Sequence, residues 1–202
     1  TLVWKDGDGF VPALAESWEY ISDEKAYLFH IRDGVTWNDG QPFTAQDVVF
    51  TFQYIQDHPY QWVDSSTVDN AEAVDDSTVK ITLTRDYSPF LDQVAGPLPI
   101  MPEHVYKDVS DPANFKEAAA LTGTGPFKLV NYDKAQGTYL YEANENYYQG
   151  APRVKQIKFV KVSLEMSAAA LEKGDVDAAS VPGETVEGLE SKGFVAVEGS
   201  HD

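Results

Sequence analysis

Hydrophobic and polar positions alternate most regularly in two stretches of the chain. Tyr27, Phe29 and Ile31 share one side of the first, with His30 on the other. Val79, Ile81 and Leu83 share one side of the second, with Lys80, Thr82 and Thr84 opposite. A period of two predicts half-buried β-strands at both places. After the first strand come Asp33-Gly34 and Asn38-Asp39-Gly40, residues suited to tight turns that need positive φ. Thr44 then reads as a helix N-cap, with Asp47 three residues on to cap back, and Val48, Phe52 and Ile55 mark one helical face. The stretch from Tyr27 to Phe52 is thus a strand, a turn-rich corner and a capped helix.

The pattern elsewhere is shorter. Trp4 to Phe10 reads as a hairpin tip; Asp6-x-Asp8-Gly9 lacks the third ligand and the distant Glu of a calcium loop. Pro12 to Glu19 reads as a connection, as does the polar, aromatic run from Gln56 to Asn70 that holds His58 and Trp62. Ser88-Pro89 starts a short helix, Phe90 to Ala95, that ends at Gly96-Pro97. A proline-rich crossing and a polar, alanine-rich segment, Asp108 to Thr122, follow. Gly123 to Pro126 turns into a strand at Phe127 to Val130, with Tyr139 to Tyr141 as its hairpin partner. Strands are predicted at Val154 to Val162, with Ile157 and Phe159 inward, at Val176 to Val181 and at Phe194 to Val197. Helices are predicted from Leu164 to Gly174 and around Val186 and Leu189. The fold class is a mixed α/β (α+β) chain with two sub-structures.

Composition narrows the chemistry. The 202 residues are 43% hydrophobic and 12% aromatic, which suits a folded protein with a core. A formal charge of −18 repels phosphate backbones and anionic lipid, so neither nucleic acid nor a membrane surface is an expected partner. No apolar run approaches the ~18 residues that a membrane span needs. Without a signal sequence at Thr1, a secreted protein is expected here in mature or trimmed form. The chain has no cysteine, which excludes thiol catalysis and disulfides.

Catalytic motifs do not emerge. There is no G-x-S-x-G, P-loop, G-x-G-x-x-G or H-E-x-x-H. His30, His58, His104 and His201 are scattered singly, without metal-ligand spacing. Carboxylates are abundant enough that a glycoside hydrolase pair stays open as an alternative, because spatial separation decides it. The expectation is a binding protein rather than an enzyme, with no cofactor. The 4 Trp and 11 Tyr supply rigid amphipathic surfaces for recognition.

Several short strings stand in a characteristic order: Ala15-Glu16-Ser17-Trp18, Arg32-Asp33-Gly34-Val35, Trp37-Asn38-Asp39-Gly40, Gly123-Thr124-Gly125-Pro126-Phe127, Asn144-Glu145-Asn146-Tyr147-Tyr148 and Ala170-Leu171-Glu172-Lys173-Gly174-Asp175-Val176-Asp177. In this set the chain resembles the family-5 extracellular solute-binding proteins of ABC importers, the dipeptide, oligopeptide and nickel binders. The resemblance implies lobe I of a type II periplasmic-binding-protein-like fold, a mixed sheet flanked by helices with a smaller strand-rich outer subdomain. It implies that residues 1–121 form that outer subdomain, that residues 122–202 form part of the main subdomain, and that lobe II is absent. It further implies an extracytoplasmic monomer, periplasmic or lipid-anchored, that delivers short peptides to an ABC permease. Oligosaccharides and nickel chelates are the alternative solutes. The cleft-lining segments of the family match the loop at Trp62 and the corner Gly96-Pro97-Leu98. Leu98 stands where nickel-chelate binders can offer an arginine, and a leucine cannot pair with a chelator's carboxylates.

Overall fold

A computed structural model describes residues 1–197. The chain divides into two compact units, Thr1–Leu129 with Tyr141–Gln156, and Val130–Leu140 with Ile157–Asp202.

The first unit holds the large core. It opens with an antiparallel hairpin, β1 (Val3–Asp6) and β2 (Gly9–Pro12). Asp6 Oδ1 accepts the N–H groups of Asp8 and Gly9 at 2.9 and 3.1 Å, which is the turn the sequence suggested. A four-stranded sheet follows, in the order β3-β4-β6-β5, from β3 (Ala15–Ile21), β4 (Ala26–Ile31), β5 (Val68–Asp75) and β6 (Thr78–Leu83). Neighbouring strands run antiparallel throughout. β4 and β6 are the two strands the alternation identified. β3 corrects the reading of Pro12 to Glu19 as a connection from Ala15 onward, and β5 takes up only the last residues of the run Gln56 to Asn70, from Val68. Their alternation is interrupted by register shifts between Ala15 and Ser17, Val68 and Asn70, and Ala73 and Asp75. Each shift moves side chains to the opposite face, and the period of two disappears from the sequence.

Helix α1 (Ala45–Asp57) covers this sheet against β5 and β6. Its entry is fixed by Asp47, whose Oδ2 accepts the Thr44 N–H at 3.0 Å. Val48, Phe52 and Ile55 are buried with Phe29, Ile81 and Phe90 in one continuous core. Each large side chain fully withdrawn from water stabilises the fold by about 1.5–3 kcal/mol. The Tyr27 and Phe90 rings stack with centroids 4.8 Å apart, which ties β4 to the segment after β6. That segment winds as one π-helical turn, Leu91–Ala95, and the proline-rich crossing leads to α2 (Glu103–Tyr106). Asp108 to Thr122 is mainly loop, with a 3-10 turn at Ala118–Leu121.

A three-stranded sheet, in the order β7-β8-β9, consists of β7 (Phe127–Asp133), β8 (Thr138–Ala143) and β9 (Gln156–Phe159). Stacked Tyr132 and Tyr139 rings, 4.5 Å apart, mark the expected β7–β8 hairpin. The second unit also contains α3 (Leu164–Lys173) and α4 (Val186–Glu190). Gly174 closes α3 at φ 74°, a left-handed conformation that glycine adopts without strain. Three expectations fail in this unit. Residues 176–181 and 194–197 form no strand, and Phe159 is 56% exposed rather than inward. Short apolar runs become strands only when a neighbouring strand takes their backbone hydrogen bonds, and among the described residues no strand pairs with either run.

Candidate functional site

Two separate loops carry the residues expected to line a cleft. Trp62 lies in the connection between α1 and β5, and its indole is 73% exposed. Val63 beside it is buried in the core and its N–H donates to the Tyr60 carbonyl at 3.1 Å, so the loop is anchored while its tryptophan points outward. An anchored, solvent-facing indole can serve as a rigid contact surface that costs little entropy to use. An open groove of about 410 Å3 lies at the same connection, lined by Ile55, Pro59, Val63, Asp64, Ser66 and others.

The corner at Gly96-Pro97-Leu98 is built differently. Gly96 N–H closes the π turn on Leu91 O at 2.9 Å, and a Cβ on Gly96 would lie only 3.0 Å from that same oxygen. The close backbone approach leaves little room for a side chain there. Pro97 is exposed, whereas Leu98 is 1% exposed and packed in the core. The corner therefore offers Pro97 and main chain to solvent, and the Leu98 side chain serves packing. No hydrogen bond or ring contact joins Trp62 to the corner among the described residues. Hairpin β1–β2 is fastened to the corner's π turn: Leu2 N–H donates to Ala95 O at 3.2 Å, and Lys5 Nζ pairs with Asp92 at 2.8 Å. The hairpin carries Trp4, 62% exposed, to which the sequence assigned only a turn.

Five of the six signature strings interlock; Ala170 to Asp177 belongs to the other unit. Asn38 N–H donates to Gly123 O at 2.9 Å, and its side-chain amide donates to Leu121 O at 3.3 Å. Asn144 N–H and Nδ2 donate to Pro126 O and Gly125 O at 2.8 and 3.1 Å. Arg32 donates through Nε to Ala13 O at 3.2 Å, approaches Glu16 at 3.6 Å, and sits 5.4 Å from the Tyr148 ring centroid. Strings as distant in sequence as those of Arg32 and Tyr148 thus form one joint, and the contacts give these residues a packing role. Burial pushes the Tyr148 hydroxyl well above the ordinary tyrosine range, so it stays neutral at this joint.

Buried Asp47 is a second hub. Besides Thr44, its carboxylate accepts the Trp37 indole N–H at 3.3 Å and the Glu103 N–H at 3.0 Å. Thr51 extends the hub: its hydroxyl donates to Asp47 O at 2.7 Å and accepts the Met101 N–H at 2.8 Å. These bonds fix the crossing from the corner to α2. His104 Nε2 meets Asp39 at 2.7 Å, which ties α2 to the Trp37-Asn38-Asp39-Gly40 turn. Among the described residues no three His, Asp or Glu side chains converge to hold a metal ion, and no helix is long and apolar enough to cross a membrane. His201 lies outside the described residues.

Residues 9–201 match the family model described as bacterial extracellular solute-binding proteins, family 5 Middle. The chain belongs to this family. Among its family 5 relatives, a dipeptide-binding protein of Escherichia coli K12 is 31% identical over 195 residues, which cover 85% of this chain and 36% of that protein. The nickel-binding periplasmic protein of the same organism is 31% identical over 192 residues, covering 87% and 34%. The family 5 fold agrees with the oligopeptide-binding protein AppA of Bacillus subtilis in complex with a nonapeptide, at a TM-score of 0.83 and 25% identity over 94% of this chain and 39% of that one. NikA of Brucella suis in complex with Fe(III)-EDTA gives a TM-score of 0.80 at 27% identity, covering 95% and 40%. The chain therefore spans between 34% and 40% of the length of these four proteins. The periplasmic-binding-protein-like architecture is the one the signature strings imply.

Proposed function

We propose that this chain is part of an extracytoplasmic solute receptor that captures short peptides and hands them to an ABC permease. The observation that carries the reading is the family 5 fold, in close agreement with a receptor holding a nonapeptide. Residues 1–121 act as the outer subdomain and residues 122–202 as part of the main one. Trp62 contributes an aromatic surface to the solute, and Gly96 and Pro97 contribute main chain at the corner. Peptides suit such a site because main-chain hydrogen bonds and water-filled side-chain pockets bind many sequences alike. Closure of the whole receptor follows from tighter binding to the closed form.

Native mass spectrometry of the full-length protein, purified without refolding, tests the solute. A retained series of peptide masses is the expected result; a single sugar or metal-chelate mass overturns the peptide reading and keeps the family. With a bound peptide in hand, Trp62→Ala is expected to weaken affinity about ten-fold, the effect of removing one aromatic contact. Because the indole is exposed, the melting temperature of the empty protein should stay unchanged. Unaltered affinity in isothermal titration calorimetry would remove Trp62 from the site.

A further inference from the structure

We propose that His58 is a proton-driven clasp which, as the imidazolium, fastens the segment at Val109 and Ser110 to the C-terminal end of α1. Both ring nitrogens face backbone carbonyl oxygens: Nδ1 lies 3.2 Å from Tyr54 O, and Nε2 lies 3.1 Å from Ser110 O. A carbonyl oxygen only accepts, and a neutral imidazole has a single N–H. The neutral ring therefore satisfies one of these contacts and sets a lone pair against an oxygen at the other. The imidazolium donates at both.

Further contacts converge on the ring. The Tyr54 ring lies parallel to His58, with centroids 4.2 Å apart and planes 18° apart, and presents a π face to the cation. No basic residue stands in the last turn of α1, so His58 is the group placed to offset the negative end of that helix. Tyr54 reinforces the junction, since its hydroxyl donates to Val109 O at 2.6 Å. Tyr106 from α2 meets Tyr54 edge-on at 6.2 Å. The charged and titratable side chains on the elements packed here are Asp47 and Asp57 on α1, Glu103 and His104 on α2, and Lys107, Asp108 and Asp111 on the fastened segment. His58 also begins the connection that carries Trp62, so the clasp fixes the near end of that loop. It stands on hydrogen-bond geometry and does not depend on which solute the protein takes.

Hydrogen exchange on the full-length protein tests the clasp at about pH 5 and about pH 8, the window in which histidine changes charge. The reporter is the Val109 amide, which donates to Tyr106 O at 2.9 Å. After correction for intrinsic exchange, its protection is expected to fall about five-fold from acid to alkaline conditions, the effect of one lost hydrogen bond. The step should vanish in His58→Phe, which keeps a ring to stack and has no N–H, and persist in a control variant, His30→Gln, on exposed strand surface. A step that survives in His58→Phe, or no step in the unaltered protein, overturns the proposal. A second readout needs no variant. Histidine-selective 15N spectra at about pH 5 should show both His58 ring N–H protons in slow exchange. A ring with one bare nitrogen at that pH equally overturns it.

Discussion

β4 and β9 look alike as sequence and end in different environments. Each places large apolar residues at every second position, yet Phe29 on β4 is 0% exposed and Phe159 on β9 is 56% exposed. β4 sits between β3 and β6, in a sheet that α1 covers. β9 is the edge of a three-stranded sheet, and only Ser167, Leu171 and Leu189 are buried among the described helical residues of its unit. Alternation tells a chain which side chains share a face. Burial of that face depends on what is laid against it, and that is a tertiary fact.

The contrast can be broken first by mutation at these paired positions. Phe29→Ala empties a packed site and is expected to cost about 3–5 kcal/mol, whereas Phe159→Ala should stay within about 0.5 kcal/mol. Chemical denaturation of the full-length protein measures both, and comparable losses would mean that Phe159 is covered in the whole molecule. Asp47→Ala comes next. It strands the N–H groups of Trp37, Thr44 and Glu103, and should cost about 2–3 kcal/mol by the same assay. A smaller loss would show that water replaces the carboxylate.

The smallest expected effect is spectroscopic and belongs to the surface of the four-stranded sheet. Tyr20 on β3 donates its hydroxyl to Asp86, and that bond, with desolvation and the carboxylate's charge behind it, pushes the phenol up to about 12. A folded-state value raised above the unfolded one gives a contribution fully present below the ordinary tyrosine range, which is lost as pH rises through about 12. Ultraviolet titration should find Tyr20 among the phenolates that form late, with Tyr148 another, and in Asp86→Asn one of them should form earlier. An unchanged titration would mean that the bond is not held in solution.

What could be read in advance follows from how local each feature is. The Thr44–Asp47 cap, the Asp6 turn and the Gly174 helix stop each depend on residues within four positions, and all were legible. β3 and β5 were not, because bulged edge strands lose the period of two and owe their existence to partners β4 and β6. The same division runs through the candidate site. Trp62 and the Gly96-Pro97-Leu98 corner were expected as cleft-lining only through family resemblance, and the burial of Leu98 could not be anticipated, since a leucine in a proline-rich run gives no sign of which way it packs. Nor could the joint that binds Asn38 to Gly123 and Asn144 to Gly125 be foreseen. The sequence by itself determined the family, the acidic character and the locally encoded turns, caps and central strands. Tertiary structure alone decided which apolar faces are buried, which motif residues lock together, and that both nitrogens of His58 meet acceptors. Such facts depend on groups far apart in the chain, and only the closed fold brings them within hydrogen-bonding distance.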